Sequence, residues 1–221
     1  MIGAILFDID GTLIDSNDLH AAAWREAFLH FGADIAFDAV RRQIGKGADN
    51  LMPALLPKEL AERRGKEIED YRSSLFKRDY LARAKPFDGV RPLFERLRRE
   101  GKRIVLASSA EGEEVEHHLD LLGVQDLVAA TTSADDAEHS KPDPDIFAAA
   151  LTKVKPLGPE QVLVVGDSPY DMLAAGKLGI RSIGVRCGGF ADSVLTDAGA
   201  AELFDGPADL LRNYEASLLG R

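Results

Sequence analysis

The sequence predicts an α/β protein, a doubly wound parallel sheet with a helical segment inserted after its first strand. Three observations carry this reading. Apolar runs rich in Val, Ile and Leu recur at residues 2–7, 103–107, 161–165 and 181–185, with a weaker one at 127–132. Such runs, lacking polar alternation, suit strands buried on both faces. Between them, apolar residues recur at three- and four-residue spacing over 90–100, 112–122, 145–151 and 170–178, which is the period of a helix. Residues 16–83, by contrast, hold no convincing strand, only amphipathic stretches broken at Gly32, Gly45, Gly47, Pro53 and Pro57.

Strands alternating with helices imply right-handed crossovers and a sheet covered on both faces. The chain therefore divides into a core of residues 1–15 and 84–221 and an inserted helical cap of residues 16–83. Pro86, Phe87, Asp88 and Gly89 make a turn-like return to the alternating pattern. Hinges are expected where the cap joins the core, near 14–17 and 84–89.

Composition narrows the function. At 45% apolar residues over 221 positions, the chain can bury a substantial core. Lys plus Arg number 27 against 37 Asp plus Glu, a net charge of −10, and no basic and aromatic cluster could follow a phosphate backbone, so nucleic acid is not an expected partner. Cys187 is the only cysteine, which excludes an internal disulfide and a cysteine-rich zinc site. The opening MIGAILF is too short for a signal peptide or a membrane helix, so a cytoplasmic protein with no membrane partner is expected.

The chemistry is concentrated at the predicted strand ends, where open α/β sheets bind ligands. The first run ends in FDIDGTLIDS, with Asp8, Asp10 and Asp15 around Gly11. Carboxylates a few ångströms apart repel by roughly 4 kcal/mol at an effective dielectric near 20, so such a cluster calls for a cation or protons. The run at 103–107 leads to Ser108 and Ser109, Lys141 follows the weaker run at 127–132 in HSKPDPDIF, and the run at 161–165 ends at Asp167 with Asp171 four residues on. Carboxylates suit Mg²⁺, a hard ion that favours oxygen, while a lysine and a hydroxyl can hold phosphoryl oxygens.

These four segments, DIDGTLIDS, the serine after a strand, KPDPDIF and GDSPYD, in this order, closely resemble the haloacid dehalogenase superfamily of aspartate-nucleophile phosphatases and phosphomutases. The resemblance extends over essentially the whole chain and implies a Rossmann-like core with a C1-type helical cap. By that resemblance, Asp8 is the nucleophile that forms an aspartyl phosphate, and Asp10 is the general acid and base. Ser108 holds phosphoryl oxygens and Lys141 screens the nucleophile. Asp8, the main-chain oxygen of Asp10, Asp167 and, directly or through water, Asp171 hold Mg²⁺. Gly11 and Thr12 lie in the turn after the nucleophile, where backbone N–H groups can approach phosphate closely.

Other residues admit plainer readings. Capping of the next helix explains at least one of Asp15 and Ser16. His20, Trp24 and Phe28 form a four-residue stripe that suits packing, yet the resemblance turns this helix toward substrate, so His20 and Trp24 are candidate specificity residues, as are Lys46 and Ser109. His117 and His118 read as surface residues of a charged helix.

The expected function is Mg²⁺-dependent hydrolysis of a small phosphorylated metabolite, of the phosphoglycolate or sugar phosphate type, by a monomer or homodimer. The alternative is a sugar phosphomutase of the β-phosphoglucomutase type, against which Ala48 stands where that resemblance would place an arginine. Metal-free dehalogenation would lack an acid at the Asp10 position. A non-catalytic regulatory protein on the same fold is more remote, since no motif position is broken.

Overall fold

The computed structural model describes residues 1–221. Along the chain lie β1 (Ala4–Phe7), β2 (Ile14–Asp15), α1 (Asn17–His30), α2 (Phe37–Arg41), α3 (Ala48–Leu55), α4 (Lys58–Leu75), β3 (Lys85–Pro86), α5 (Val90–Arg99) and β4 (Arg103–Ala107). They are followed by α6 (Gly112–Leu122), β5 (Ala130–Thr132), α7 (Asp145–Lys153), β6 (Val162–Gly166), α8 (Pro169–Lys177), β7 (Arg181–Val185), α9 (Asp192–Asp197), β8 (Ala200–Phe204) and α10 (Pro207–Arg212).

Six strands form one parallel sheet in the order β5-β4-β1-β6-β7-β8. From β1 the chain steps to β4 and β5, then returns to the other side of β1 and continues through β6, β7 and β8. This reversal opens a crevice beyond the carboxyl ends of β1 and β6, whose residues Phe7 and Val165 are in register.

The two faces of β1 divide its residues as alternation requires. Ile5 and Phe7 pack with Val90, Leu93, Phe94 and Leu97 of α5, the Phe7 and Phe94 rings 4.8 Å apart. Ala4 and Leu6 pack with Ile146 and Phe147 of α7 and with Ala174 and Ala175 of α8. Every β1 residue is fully buried, which holds the strand end and the residues after it in place.

Helices α1 to α4 form the predicted helical segment. Ala21, Trp24 and Phe28 of α1, Val40 of α2, Leu51 of α3 and Ile68 of α4 make an apolar cluster of their own. Pro53, expected as a breaker, lies inside α3, between buried Leu51 and Met52 and the helix end. One missing N–H is a small loss beside that burial.

The β2–β3 ribbon, β8, α9 and α10 were not foreseen. β2 and β3 form an antiparallel ribbon, pairing Ile14 with Pro86 and Asp15 with Lys85, at the two crossings between core and helical segment. Two-residue strands are too short to show a period. β8 is an edge strand with no fully buried residue, and its Glu202 carboxylate accepts the Leu218 N–H at 2.9 Å. Its weak apolar content is what a charged sheet edge shows. No helix is long and apolar enough to cross a membrane.

Candidate active site

Asp8 is the first residue past β1 and Asp167 the first past β6, so the crevice places them together. Asp8 is 6% exposed, Asp167 1%, and Asp171, in the first turn of α8, is fully buried. Their carboxylate oxygens lie within 4.8 Å of one another. Lys141, between β5 and α7 and 1% exposed, sits 2.5 Å from Asp8 Oδ1 and 2.8 Å from Asp171 Oδ1. Its ammonium also donates to Ala107 O at 3.3 Å, which ties it to the end of β4.

Short local contacts set the remaining geometry. Thr12 Oγ1 lies 3.2 Å from both Asp8 Oδ2 and Asp167 Oδ1, and its single proton serves one at a time. Asn17 Nδ2 donates to Asp167 Oδ2 at 2.7 Å. Gly11 has φ 78°, and a Cβ there would meet Asn17 Nδ2 at 2.1 Å and Asp167 Oδ2 at 2.4 Å. Asp171 Oδ2 accepts from Ser168 N at 3.1 Å and Ser168 Oγ at 2.6 Å, so this residue both caps α8 and faces Lys141.

One ammonium among three buried carboxylates leaves excess negative charge. Burial raises the Asp8 carboxyl well above the usual range, with Asp171 and Asp167 adding to the rise and Lys141 opposing it. Burial and Asp171 raise Asp167 to about 7, against hydrogen bonds from Asn17 and Thr12. Lys141 is raised as well, since Asp171 and Asp8 outweigh the burial that works against its charge. Asp171 Oδ1 has charge contact with Lys141 but no aligned hydrogen bond. Hard, under-neutralised oxygens fit a divalent cation such as Mg²⁺.

Asp10 turns away from this cluster. Its Oδ1 accepts from Ser16 Oγ at 2.6 Å and lies 2.9 Å from His20 Nε2. The Arg72 guanidinium contacts His20 Nδ1, and a guanidinium can only donate. In the neutral ring the proton is therefore on Nε2, facing Asp10. Burial pushes the Asp10 carboxyl up, yet the His20 and His118 rings, with the bonds from His20 and Ser16, hold it well below the usual range.

A cavity of about 120 Å³ joins Asp8 and Asp10 to the helical segment, with Trp24, Lys46, Arg72 and Glu114 on its walls. Of the residues singled out from sequence, Asp8, Asp10, Gly11, Thr12, Lys141, Asp167 and Asp171 gather at the crevice. Ser108 is fully buried, and its Oγ accepts from Ala110 N at 3.0 Å. His20, Trp24, Lys46 and Ser109 line the cavity. The Lys46 ammonium is held by Gln43 Oε1 at 2.7 Å and lies 4.8 Å from the centre of the Tyr170 ring.

Some expectations are corrected. His118 is fully buried, facing inward from α6, whereas His117 is exposed. Ser16 stands at the α1 N-cap but makes no capping bond there, because its hydroxyl goes to Asp10. Asn17, Arg72 and Glu114 escaped the sequence reading. Arg72 and Glu114 sit in helices dense with charge and are distinguished only by docking, while Asn17, beside a motif, differs from a helix-starting polar residue only in its partner.

Residues 5–185 match the haloacid dehalogenase-like hydrolase family. A phosphorylated carbohydrates phosphatase of Thermotoga maritima is 30% identical over 90% of this chain and 93% of its own. Pyrophosphatase PpaX of Anoxybacillus flavithermus is 29% identical over 83% of each chain. A hydrolase from Pseudomonas syringae, known as a crystal structure, superposes with a TM-score of 0.87 at 27% identity over 97% of this chain and 98% of its own. With Asp8, Lys141 and Asp167 at the crevice of such a sheet, the chain belongs to the haloacid dehalogenase-like hydrolase family.

Proposed function

We propose that the protein hydrolyses a small phosphomonoester in a Mg²⁺-dependent reaction, through an aspartyl phosphate on Asp8. The observation that carries this is the placing of Asp8 between the Lys141 ammonium at 2.5 Å and Thr12 Oγ1 at 3.2 Å, facing the cavity that Asp10 also lines.

An Asp8 oxygen attacks phosphorus in line, making an O–P bond as the bond to the substrate's bridging oxygen breaks. Asp10 gives that oxygen a proton, so the product leaves as an alcohol. Asp10 then takes a proton from water, whose oxygen attacks the acyl phosphate and releases inorganic phosphate with Asp8 restored. The His20 contact favours the carboxylate form of Asp10, which is the form the second step uses.

Lys141 would offset charge on Asp8 during transfer, and Ser108, Ser109, which lines the cavity, and the Gly11–Thr12 turn would hold the phosphoryl oxygens. Asp8, the Asp10 main-chain oxygen, Asp167 and Asp171 would hold Mg²⁺, which when bound neutralises phosphoryl charge. Ala48, uncharged, lines the cavity where a mutase would present an arginine, which favours hydrolysis.

The test is phosphate release from small phosphoesters with Mg²⁺ or with EDTA, in wild type and Asp8→Asn. Turnover that needs Mg²⁺ and disappears in the variant is expected; equal turnover in EDTA or in Asp8→Asn would overturn the reading.

A further inference from the structure

Asp8 and Asp167 take their positions from the strands they follow, but Lys141 has no strand or helix of its own. It lies between β5, which ends at Thr132, and α7, which begins at Asp145. Its ammonium is set against Asp8 and Asp171 and over the Phe147 ring, 5.0 Å from the ring centre. A lysine stem is flexible, so its ammonium keeps such a point only where the main chain is held as well.

Part of that hold comes from outside the core. Within the core, Asp143 N donates to Ser140 O at 3.0 Å and Lys177 pairs with Asp143 at 2.9 Å, which closes the turn after Lys141. The residue before Lys141 is gripped by the first turn of α3, in the helical segment. Ser140 N donates to Asp49 Oδ2 at 3.0 Å, and Asn50 Nδ2 donates to Ser140 O at 2.9 Å. That carbonyl belongs to the planar peptide unit that also contains the Lys141 nitrogen and Cα. Asp49 and Asn50 therefore fix the peptide planes on either side of Ser140, and the second plane carries Lys141. The Ser140 hydroxyl adds attachment by accepting from Gly47 N at 2.9 Å, but neither main-chain bond depends on it. The approach is close, since a Cβ at Gly47 would lie 2.5 Å from Ser140 Cβ. An acidic residue in a first helical turn is ordinarily explained by the helix dipole. That explains neither Asn50 nor the turning of both side chains onto one residue.

We propose that Asp49 and Asn50 are positioning residues for Lys141: by gripping Ser140 they set the ammonium against Asp8, so that docking of the helical segment completes the charge balance of the nucleophile. This rests on the hydrolase reading above, because the step that Lys141 serves is the attack of Asp8 on phosphorus. With the grip released, the ammonium is less well placed, and the Asp8 carboxylate approaches a phosphoryl group of like charge with less of its charge offset. The cost falls on the chemical step rather than on substrate binding.

The experiment uses p-nitrophenyl phosphate, whose leaving group needs little protonation and so isolates that step. Its kcat and KM are measured with Mg²⁺ in wild type, Asp49→Ala, Asp49→Asn and Asn50→Asp, and in a double-mutant cycle of Asp49→Ala with Lys141→Met. Asp49→Ala and Asn50→Asp should each lower kcat about tenfold, with KM changed by less than about twofold. Asp49→Asn keeps an acceptor for the Ser140 N–H and should recover most of the loss. In the Lys141→Met background, Asp49→Ala should cost no more than about twofold. Melting temperatures show that each variant folds. Independently of turnover, the Lys141 ammonium signal in ¹⁵N lysine NMR, identified by its loss in Lys141→Met, should shift or broaden in Asp49→Ala and Asn50→Asp.

Losses confined to KM, a tenfold loss that persists without Lys141, or an unaltered Lys141 signal would make Asp49 and Asn50 docking contacts only, and would overturn this inference while leaving the hydrolase reading in place. Absence of wild-type turnover on every phosphoester tested, with a Lys141 signal that moves in the variants, overturns the hydrolase reading and retains the positioning. Absence of turnover with an unmoved signal overturns both.

Discussion

The two walls of the cavity are built on different principles. On the core side, Asp8 and Asp167 follow the buried strands β1 and β6, Lys141 joins them from the segment between β5 and α7, and each is in contact with at least one other charged or hydroxyl group of the cluster. On the opposite side, His20, Arg72 and Glu114 come from α1, α4 and α6, three helices brought together only when the helical segment docks on the sheet. The core wall is under-neutralised and tightly held, as bond-making at phosphorus and metal binding require. The helical wall holds one acceptor and one donor without partners, Glu114 Oε1 and Arg72 Nε.

Substitutions should separate the two walls. The largest effect belongs to Asp8→Asn, which removes the attacking oxygen; loss of a nucleophile costs on the order of 10⁴- to 10⁶-fold in kcat. Residual phosphate release above a few per cent, in a variant that melts normally, would break the assignment. Asp10→Asn should cost about 10²- to 10⁴-fold, most severely with poor leaving groups. Equal losses across esters of different leaving-group pKa would remove Asp10 from its acid role.

The charge imbalance of the core wall predicts a pH signature. A carboxyl held at about 7 in the folded state, against 3.8 as the reference, binds its proton more tightly when folded. The stability this contributes is complete below the reference value and is lost as pH rises through that window. The raised Asp8 carboxyl acts in the same direction, whereas Asp10, held low, loses its contribution only in acid, below the usual range. Mg²⁺ should therefore raise the melting temperature more at pH 8 than at pH 5. Equal increments at the two pH values would count against Asp8 and Asp167 as its ligands.

The helical wall should respond more gently. Arg72→Gln leaves His20 without its donor and should reduce kcat about tenfold or more, with the loss shared unevenly among substrates. A uniform loss would make Arg72 a packing residue. Smallest of all is Ser140→Ala. Ser140 Oγ accepts from Gly47 N at 2.9 Å and its N–H donates to Asp49 Oδ2 at 3.0 Å, so it fastens the α3 end of the helical segment to the core. One such hydrogen bond contributes about 1 kcal/mol, so KM should rise severalfold with kcat nearly unchanged. A change in kcat alone would place Ser140 on the chemical step instead.

The same division explains what could be read from the chain. The strands β1, β4, β6 and β7 announce themselves because burial on both faces leaves an uninterrupted apolar run, and the reactive residues lie within a few positions of their ends. Sequence distance there tracks spatial distance. Arg72 is 52 positions from His20, yet its guanidinium touches that ring. Glu114 belongs to a helix that also carries Glu113 and Glu116 on exposed positions, so its type gives no hint of burial. β8 was illegible for another reason, since an edge strand needs only one partner and tolerates charge.

The ribbon of β2 and β3 has a consequence for how such a chain can change. Asp15 and Lys85 face each other across it, so the polypeptide leaves the core and re-enters at one point. Whatever lies between them must satisfy only a single, closed pair of ends, and lengthening it adds only about (3/2)RT ln n of closure entropy. The segment between them is therefore interchangeable as far as its ends are concerned. A different helical segment, or a plain two-residue turn, could join Asp15 to Lys85 with the sheet register, and hence the spacing of Asp8 and Asp167, left as it is.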